Sequence, residues 1–435
     1  MTHSLDRFRN LSSSFSQYVS RIGATLAHIT TLPEEAAPDI RVGSRTLTAQ
    51  LLGYIPINTA PQATLNFRFF IDGVQQTVPV FRITINGISV PVMASHLAAG
   101  AMERRDSRLV PYYSIDALVL LMPLTALRAA GWQGPAPPGI QLDSTGNFCN
   151  KIGLYEQQGT PLYSDTGVTL EVFPTSSISA SELYASGNIR RKARDRASVI
   201  LRVMELIVLW RVVSHANLAN DEFVLIDGPL FMPFRYSRLA DNALAPLESF
   251  NNASTANLSL FNRFFRNTLG LVKRVEIVPH LGLDRVFQAT GTYQVPLYLF
   301  QDVVPSADDE VSSHTISAFL RLRPEILPEL QSIWSPVSGL IRLDIPFGAI
   351  SSPNENWADP GFQPNLHRAI TDPTSRHYRV LQGILETALR ERWPIPESES
   401  PHRMLTEYYA IAETEKWLRA MLLQPQQIRA LFIGP

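Results

Sequence analysis

Val78–Ile85 and Ile88–Ala94 are two apolar, β-branched runs joined by Asn86-Gly87. An Asn-Gly connection takes positive φ at both positions, so it closes a tight hairpin and sets the register of the strands on either side. Upstream, Leu65, Phe67, Phe69 and Ile71 recur at every second position and run into Asp72-Gly73. The three runs predict antiparallel strands in sequence, a meander, with the first strand ending at Asp72-Gly73.

The period then changes. From Asn188 to about Ala216 the spacing predicts a long helix, basic at its start (Arg190, Arg191, Lys192, Arg194, Arg196) and apolar on every side from Val199 to Val213. A helix that is apolar all round belongs in the interior. Phe223–Ile226 followed by Asp227-Gly228 reads as a buried strand ending at a turn. Weaker patterns predict a helix around 257–268, strands near 271–278 and 292–300, a helix near 314–333, a strand near 339–346, and helices near 375–391 and 402–422. An amphipathic helix is expected over 4–30. The expected organisation is an N-terminal helical region (1–60), a core made of 61–95 and 187–435, and a mixed insertion over 96–186 that carries the Pro-rich stretch 134–139.

Charge narrows the function classes. Apolar residues make up 45% of the 435, which excludes wholesale disorder, and a net charge of −1 excludes a polybasic grip on nucleic acid. The single cysteine, Cys149, excludes an internal disulfide or a thiolate zinc cage. The N-terminus lacks the pattern of a signal peptide, and no apolar run approaches the roughly 20 residues that span a bilayer, so a soluble, cytoplasmic protein with no membrane partner is expected. No GxxxxGK[ST] motif is present, so the chain is not expected to hydrolyse ATP through a P-loop.

Three acids stand in apolar surroundings: Asp72, Asp227, and Glu205 within Val203–Trp210. An ionised carboxylate there costs several kcal/mol unless a cation meets it. For each Asp-Gly the ordinary alternative is a strand-ending turn, and for Glu205 it is an ion pair with Arg202 or Arg211. Together they follow the order meander, helix, strand of the RNase H-like α/β fold, in which such carboxylates converge. Acids sharing a site attract divalent cations, Mg²⁺ or Mn²⁺, and a pair of ions suits phosphodiester hydrolysis.

FFIDGVQQT (69–77) and VLIDGPL (224–230) also resemble the paired Asp-Gly strands of the NurA nucleases. GLVKRVEI (270–277), LIRLDIP (340–346) and the segment from Trp393 to Glu413 are similar to later motifs of that family, in the family's order. The resemblance implies an RNase H-like core with Asp72, Glu205 and Asp227 as metal-binding acids and His402 as the C-terminal histidine. It also implies Mn²⁺- or Mg²⁺-dependent 5′–3′ exonuclease and endonuclease activity on DNA, a homodimer, and docking on a HerA-type hexameric ATPase, in DNA repair or anti-phage defence. Trp393 stands where the family has tyrosine and Pro401 where it has alanine, so any role of that tyrosine is either lost or moved to Tyr408 or Tyr409. Lys273 and Arg274, and the Arg190, Arg191 and Lys192 cluster, are the candidate phosphate contacts. A catalytically inactive adaptor that regulates the ATPase is the alternative.

Overall fold

The computed structural model describes residues 25–28, 45–47, 49–57, 65–122, 127, 130–131, 162–165, 186–230, 265–273, 275, 277–279, 294–300, 315–323, 339–352, 355, 362–397 and 401–432. It is a mixed α/β protein built on one large sheet. The strands are β1 (Thr25–His28), β2 (Arg45–Leu47), β3 (Ala49–Pro56), β4 (Asn66–Ile85), β5 (Ile88–Arg105), β6 (Arg108–Met122), β7 (Leu162–Asp165), β8 (Glu222–Asp227), β9 (Thr268–Val272), β10 (Ile277–Pro279), β11 (Gln294–Phe300), β12 (Thr315–Arg321) and β13 (Leu340–Pro346). The helices are α1 (Ser186–His215), α2 (Phe347–Ile350), α3 (Phe362–Thr371), α4 (Arg376–Arg390), α5 (Pro401–Thr406), α6 (Tyr409–Arg419) and α7 (Pro425–Ala430).

The sheet runs β3-β11-β12-β13-β9-β8-β4-β5-β6-β7. At its centre β8 lies parallel to both β4 and β9, and β4, β5 and β6 pair antiparallel. The free edge of β4 is shared: β8 takes 66–71 and β1 pairs antiparallel over 81–84. Asn86 and Gly87 adopt φ of 49° and 79°, as the hairpin reading requires.

Several sequence expectations fail here, each for a local reason. The first strand does not end at Asp72-Gly73; β4 continues to Ile85, because an Asp-Gly pair permits a turn without imposing one. Residues 96–122, expected to belong to a mixed insertion, lie in the main sheet: 96–105 complete β5 and 108–122 form β6, and Val90 to Glu103 of β5 lies buried. With α1 on one face and α6 on the other, both sets of alternate side chains are covered, so the period-2 signal disappears. The N-terminal region is not helical where it is described: 25–28, 45–47 and 49–56 are strands, and 4–24 lies outside the described residues. Thr315–Arg321 is a strand between β11 and β13, buried on both faces, where a helix was expected. The helix expected over 402–422 is broken at Glu407-Tyr408 into α5 and α6. Of the helix expected over 257–268, residues 257–264 lie outside the described residues and Thr268 already belongs to β9.

Among the described residues no helix is long and apolar enough to cross a membrane.

Candidate active site

Three parallel strands set the site. Ile71 of β4 is level with Ile226 of β8, so Asp72 and Asp227, one residue further on, stand side by side. Asp227 is level with Leu271 of β9, and Lys273 follows on the same face two positions later. Pairing along β4 and β5 sets Asp72 opposite Gly100, over which Trp417 and Leu418 of α6 are packed. The C-terminal helices thus form the other wall of a cleft of about 280 Å³. Asp72, Gly73, Asp227 and Lys273 come from the sheet, and Arg403, Thr406, Glu407 and Glu415 from that wall.

Asp72 is 5% exposed and its Oδ1 accepts one hydrogen bond, from Gly73 N at 2.7 Å. Among the described residues no cation contacts it. Burial raises its carboxyl well above the usual aspartate range, and the charge of Asp227 adds to this while Lys273 opposes it. The other acids are neutralised from within the chain. Lys273 Nζ lies 2.8 Å from Asp227 Oδ2 and 2.5 Å from Glu407 Oε1. Burial works against that ammonium, but Asp227, Glu407 and Asp72 together hold it above the ordinary lysine range. Glu407 also accepts from Arg403 Nε at 2.9 Å, and Arg403 reaches on to Glu415.

Glu205 is placed differently. Side chains alternate along a strand, so Asp72 and position 73 face opposite sides of β4. A β-carbon on Gly73 would collide with Glu205 Oε1 and with Leu201, so Glu205 lies behind the strand, on the α1 side, and the absence of a side chain at 73 makes room for it. Its Oε2 accepts from Arg202 Nη1 at 2.5 Å, and the same guanidinium donates to the Asp227 carbonyl. Burial lifts the Glu205 carboxyl to about 7 despite Arg202. Gly228 follows at φ 115°, and its bare α-carbon lets the Arg202 guanidinium close over the strand end. The ion-pair reading, with Arg202 rather than Arg211, is therefore what the structure contains.

Arg323, 1% exposed, fixes the break that carries Glu407. It donates to the carbonyls of Met404 (2.6 Å), Glu407 (2.9 Å) and Arg392 (2.9 Å). Glu407, Arg403, Glu415 and Arg323 escape sequence reasoning. No local pattern separates them from the charges of any exposed helix, and the 134 positions between Lys273 and Glu407 conceal their pairing.

Other expected site residues are not gathered at the cleft. Arg190 and Arg191 open α1, about 20 Å along the helix axis from Glu205 at 1.5 Å per residue. The side chain of Lys192, and Arg274 altogether, lie outside the described residues. His402 is in the first turn of α5, and its side chain also lies outside them. Tyr408 is fully buried and Tyr409 is 40% exposed.

Divalent cations prefer hard oxygen ligands, and Mg²⁺ is commonly held by one or two carboxylates together with water and substrate phosphate. Asp72 and Asp227 fit one such ion by the chemistry of their donors: two carboxylates stand side by side on adjacent strands, and among the described residues no cation contacts Asp72. They do not fit the expected pair of ions. Among the described residues no three His, Cys, Asp or Glu side chains stand close enough together to hold a metal, and Glu205, Glu407 and Glu415 are each tied to a basic side chain.

No family model matches the chain, and no curated protein matches it. Among solved structures, the NurA nuclease from Sulfolobus solfataricus aligns over 77% of this chain and 82% of that one, at 10% identity and a TM-score of 0.27. At that score the likeness carries no argument about the site.

Proposed function

We propose that the chain is a metal-dependent nuclease with an RNase H-like core, acting on DNA. The observation that carries this reading is Asp72 beside Asp227, level on adjacent parallel strands, with the buried Asp72 carboxylate in contact with no cation among the described residues and facing an open cleft. The strand order β6-β5-β4-β8-β9, with α1 following the β4-β5-β6 meander and preceding β8, supports the RNase H-like assignment, although the meander strands are not the ones expected from the sequence. Asp72 and Asp227 would hold Mn²⁺ or Mg²⁺, which when bound neutralises a phosphate oxygen and acidifies its water. Arg403, with 41% of its side chain exposed, is placed to donate to a phosphate oxygen at the mouth of the cleft. The buried Glu407 orients Lys273 toward the acids.

The chain is nearly neutral overall, so grip on a DNA backbone is weak, and a partner that feeds the strand raises its effective concentration. A homodimer seated on a HerA-type hexameric ATPase, serving repair or anti-phage defence with 5′–3′ polarity, belongs to this proposal. One observation favours the second reading, an inactive adaptor on the same ATPase: Lys273 and Arg202 already neutralise Asp227 and Glu205. Labelled linear DNA incubated with Mn²⁺, Mg²⁺ or EDTA, with and without the ATPase, separates the two. Cleavage that needs metal and is lost in Asp72→Asn supports the nuclease; no cleavage under any condition, with retained ATPase binding, supports the adaptor.

A further inference from the structure

We infer that Lys273 is an internal competitor of the divalent cation, and that Glu407 is a further acid of the cation site, covered by Lys273 while no metal is bound. The inference deepens the metal-dependent reading above and rests on it. One nitrogen, Lys273 Nζ, holds Asp227 Oδ2 at 2.8 Å and Glu407 Oε1 at 2.5 Å. Asp72, 5% exposed and with an oxygen free of any partner among the described residues, faces the same cleft. Three acids therefore surround a single monovalent charge. Two of them are bridged by an ammonium in contact with both, and among the described residues no set of three such groups stands close enough together to hold an ion.

A lysine is suited to this exchange. Its ammonium is a compact point charge on a flexible stem, so it can swing away without moving the backbone, and a bound cation replaces the contacts it gives up with Asp227 and Glu407. The two occupants cannot both neutralise Asp227, because like charges a few ångströms apart repel by several kcal/mol in a partly buried site. Glu407 has a second basic partner, Arg403 Nε at 2.9 Å on its other oxygen, so leaving Lys273 does not strand it. The backbone carbonyl of Glu407 stays fixed by Arg323 throughout. Released from the acids, Lys273 lines the cleft beside a bound phosphate. The same group is thus a lock without metal and an anion donor with it.

The test measures Mn²⁺ binding by titration calorimetry in the absence of DNA, in the wild type, Lys273→Met and Lys273→Arg. Removing the competitor tightens Mn²⁺ binding by about tenfold or more, within the range of ordinary site coupling, while Lys273→Arg leaves it near wild type. Equal or weaker binding in folded Lys273→Met overturns the inference. If that variant does not fold, the wild type decides: the chain has four lysines (Lys151, Lys192, Lys273 and Lys416), so amine labelling is readily mapped by mass spectrometry. Mg²⁺ is expected to increase labelling at Lys273 and leave Lys416 unchanged; no change at Lys273 overturns the inference. The two readings fail separately. A wild type that cleaves DNA although Lys273→Met binds Mn²⁺ no more tightly defeats the competitor alone. Tighter binding in a protein that never cleaves nucleic acid defeats the nuclease alone.

Discussion

Replacing Asp72 with asparagine is expected to stabilise the metal-free protein and to destroy its response to metal. Asparagine keeps an oxygen that accepts from Gly73 N and removes only the charge. Neighbouring strands lie about 4.8 Å apart, so carboxylates level on β4 and β8 are roughly 6 Å apart. At that distance two unit charges repel by about 3 kcal/mol at an effective dielectric constant near 20. Lys273, 2.8 Å from Asp227, returns part of this, leaving a cost of about 1–2 kcal/mol for the ionised Asp72. The raised carboxyl of Asp72 sets the pH at which the cost is felt. It is absent in acid, where folded and unfolded chains are both protonated, and grows as pH rises through the range where only the unfolded chain is ionised. Differential scanning fluorimetry in EDTA at slightly alkaline pH therefore gives Asp72→Asn a melting temperature about 1–3 °C above wild type, narrowing in acid. Mn²⁺ reverses the order, because a cation bound only by the folded wild type stabilises it in proportion to its occupancy. A variant that is less stable without metal, or that keeps the full Mn²⁺ increment, would show Asp72 to be a structural residue and refute the argument.

Three more outcomes follow from the same geometry. Glu205, lifted to about 7 from 4.5, makes the metal-free protein lose up to about 3 kcal/mol as pH rises through that interval; denaturant titrations across it give a flatter profile in Glu205→Gln. Gly73→Ala drives a β-carbon into Glu205 and Leu201 and costs about 1–3 kcal/mol, read by chemical denaturation; an unchanged midpoint would place Glu205 elsewhere. Arg323→Met leaves three buried carbonyls without their donor and costs about 3–5 kcal/mol, with Lys273 becoming more reactive to amine reagents as Glu407 loosens.

What was legible in the sequence is what local chemistry encodes. Asn86-Gly87 needs only its own two φ angles, and Asp72 and Asp227 announce themselves as charges closing the runs FRFFI and FVLI. Glu205 stood out as the lone acid of the apolar stretch Val199–Val213, and an arginine three residues away was already among its candidate partners. Less legible was anything covered on both sides. The continuation of β5 through His96–Glu103 and β12 up to Leu320 carry no alternation, since neither face meets water. The C-terminal wall was illegible for another reason: Glu407 earns its place through Lys273 and Arg323, and nothing near residue 407 records either contact.

The wall that α6 builds over β4 and β5 also bears on how the chain reaches its folded state. Arg104 meets Glu391 across 287 positions, Pro56 meets Gln382 across 326, and His96 meets Leu423 across 327. Contacts of such separation make for slow folding, because long loops must close before the contacts are rewarded. During synthesis at 5–20 residues per second, the about 300 residues between the end of β5 and the break before α6 take roughly 15–60 s to emerge. Throughout that interval the face of the β4–β5 hairpin destined for α6 has no cover from its own chain. Trp417 and Leu418, which seat on Gly100, are among the last side chains to reach the sheet. The nascent protein is therefore most prone to aggregate through the same surface that later houses its acids.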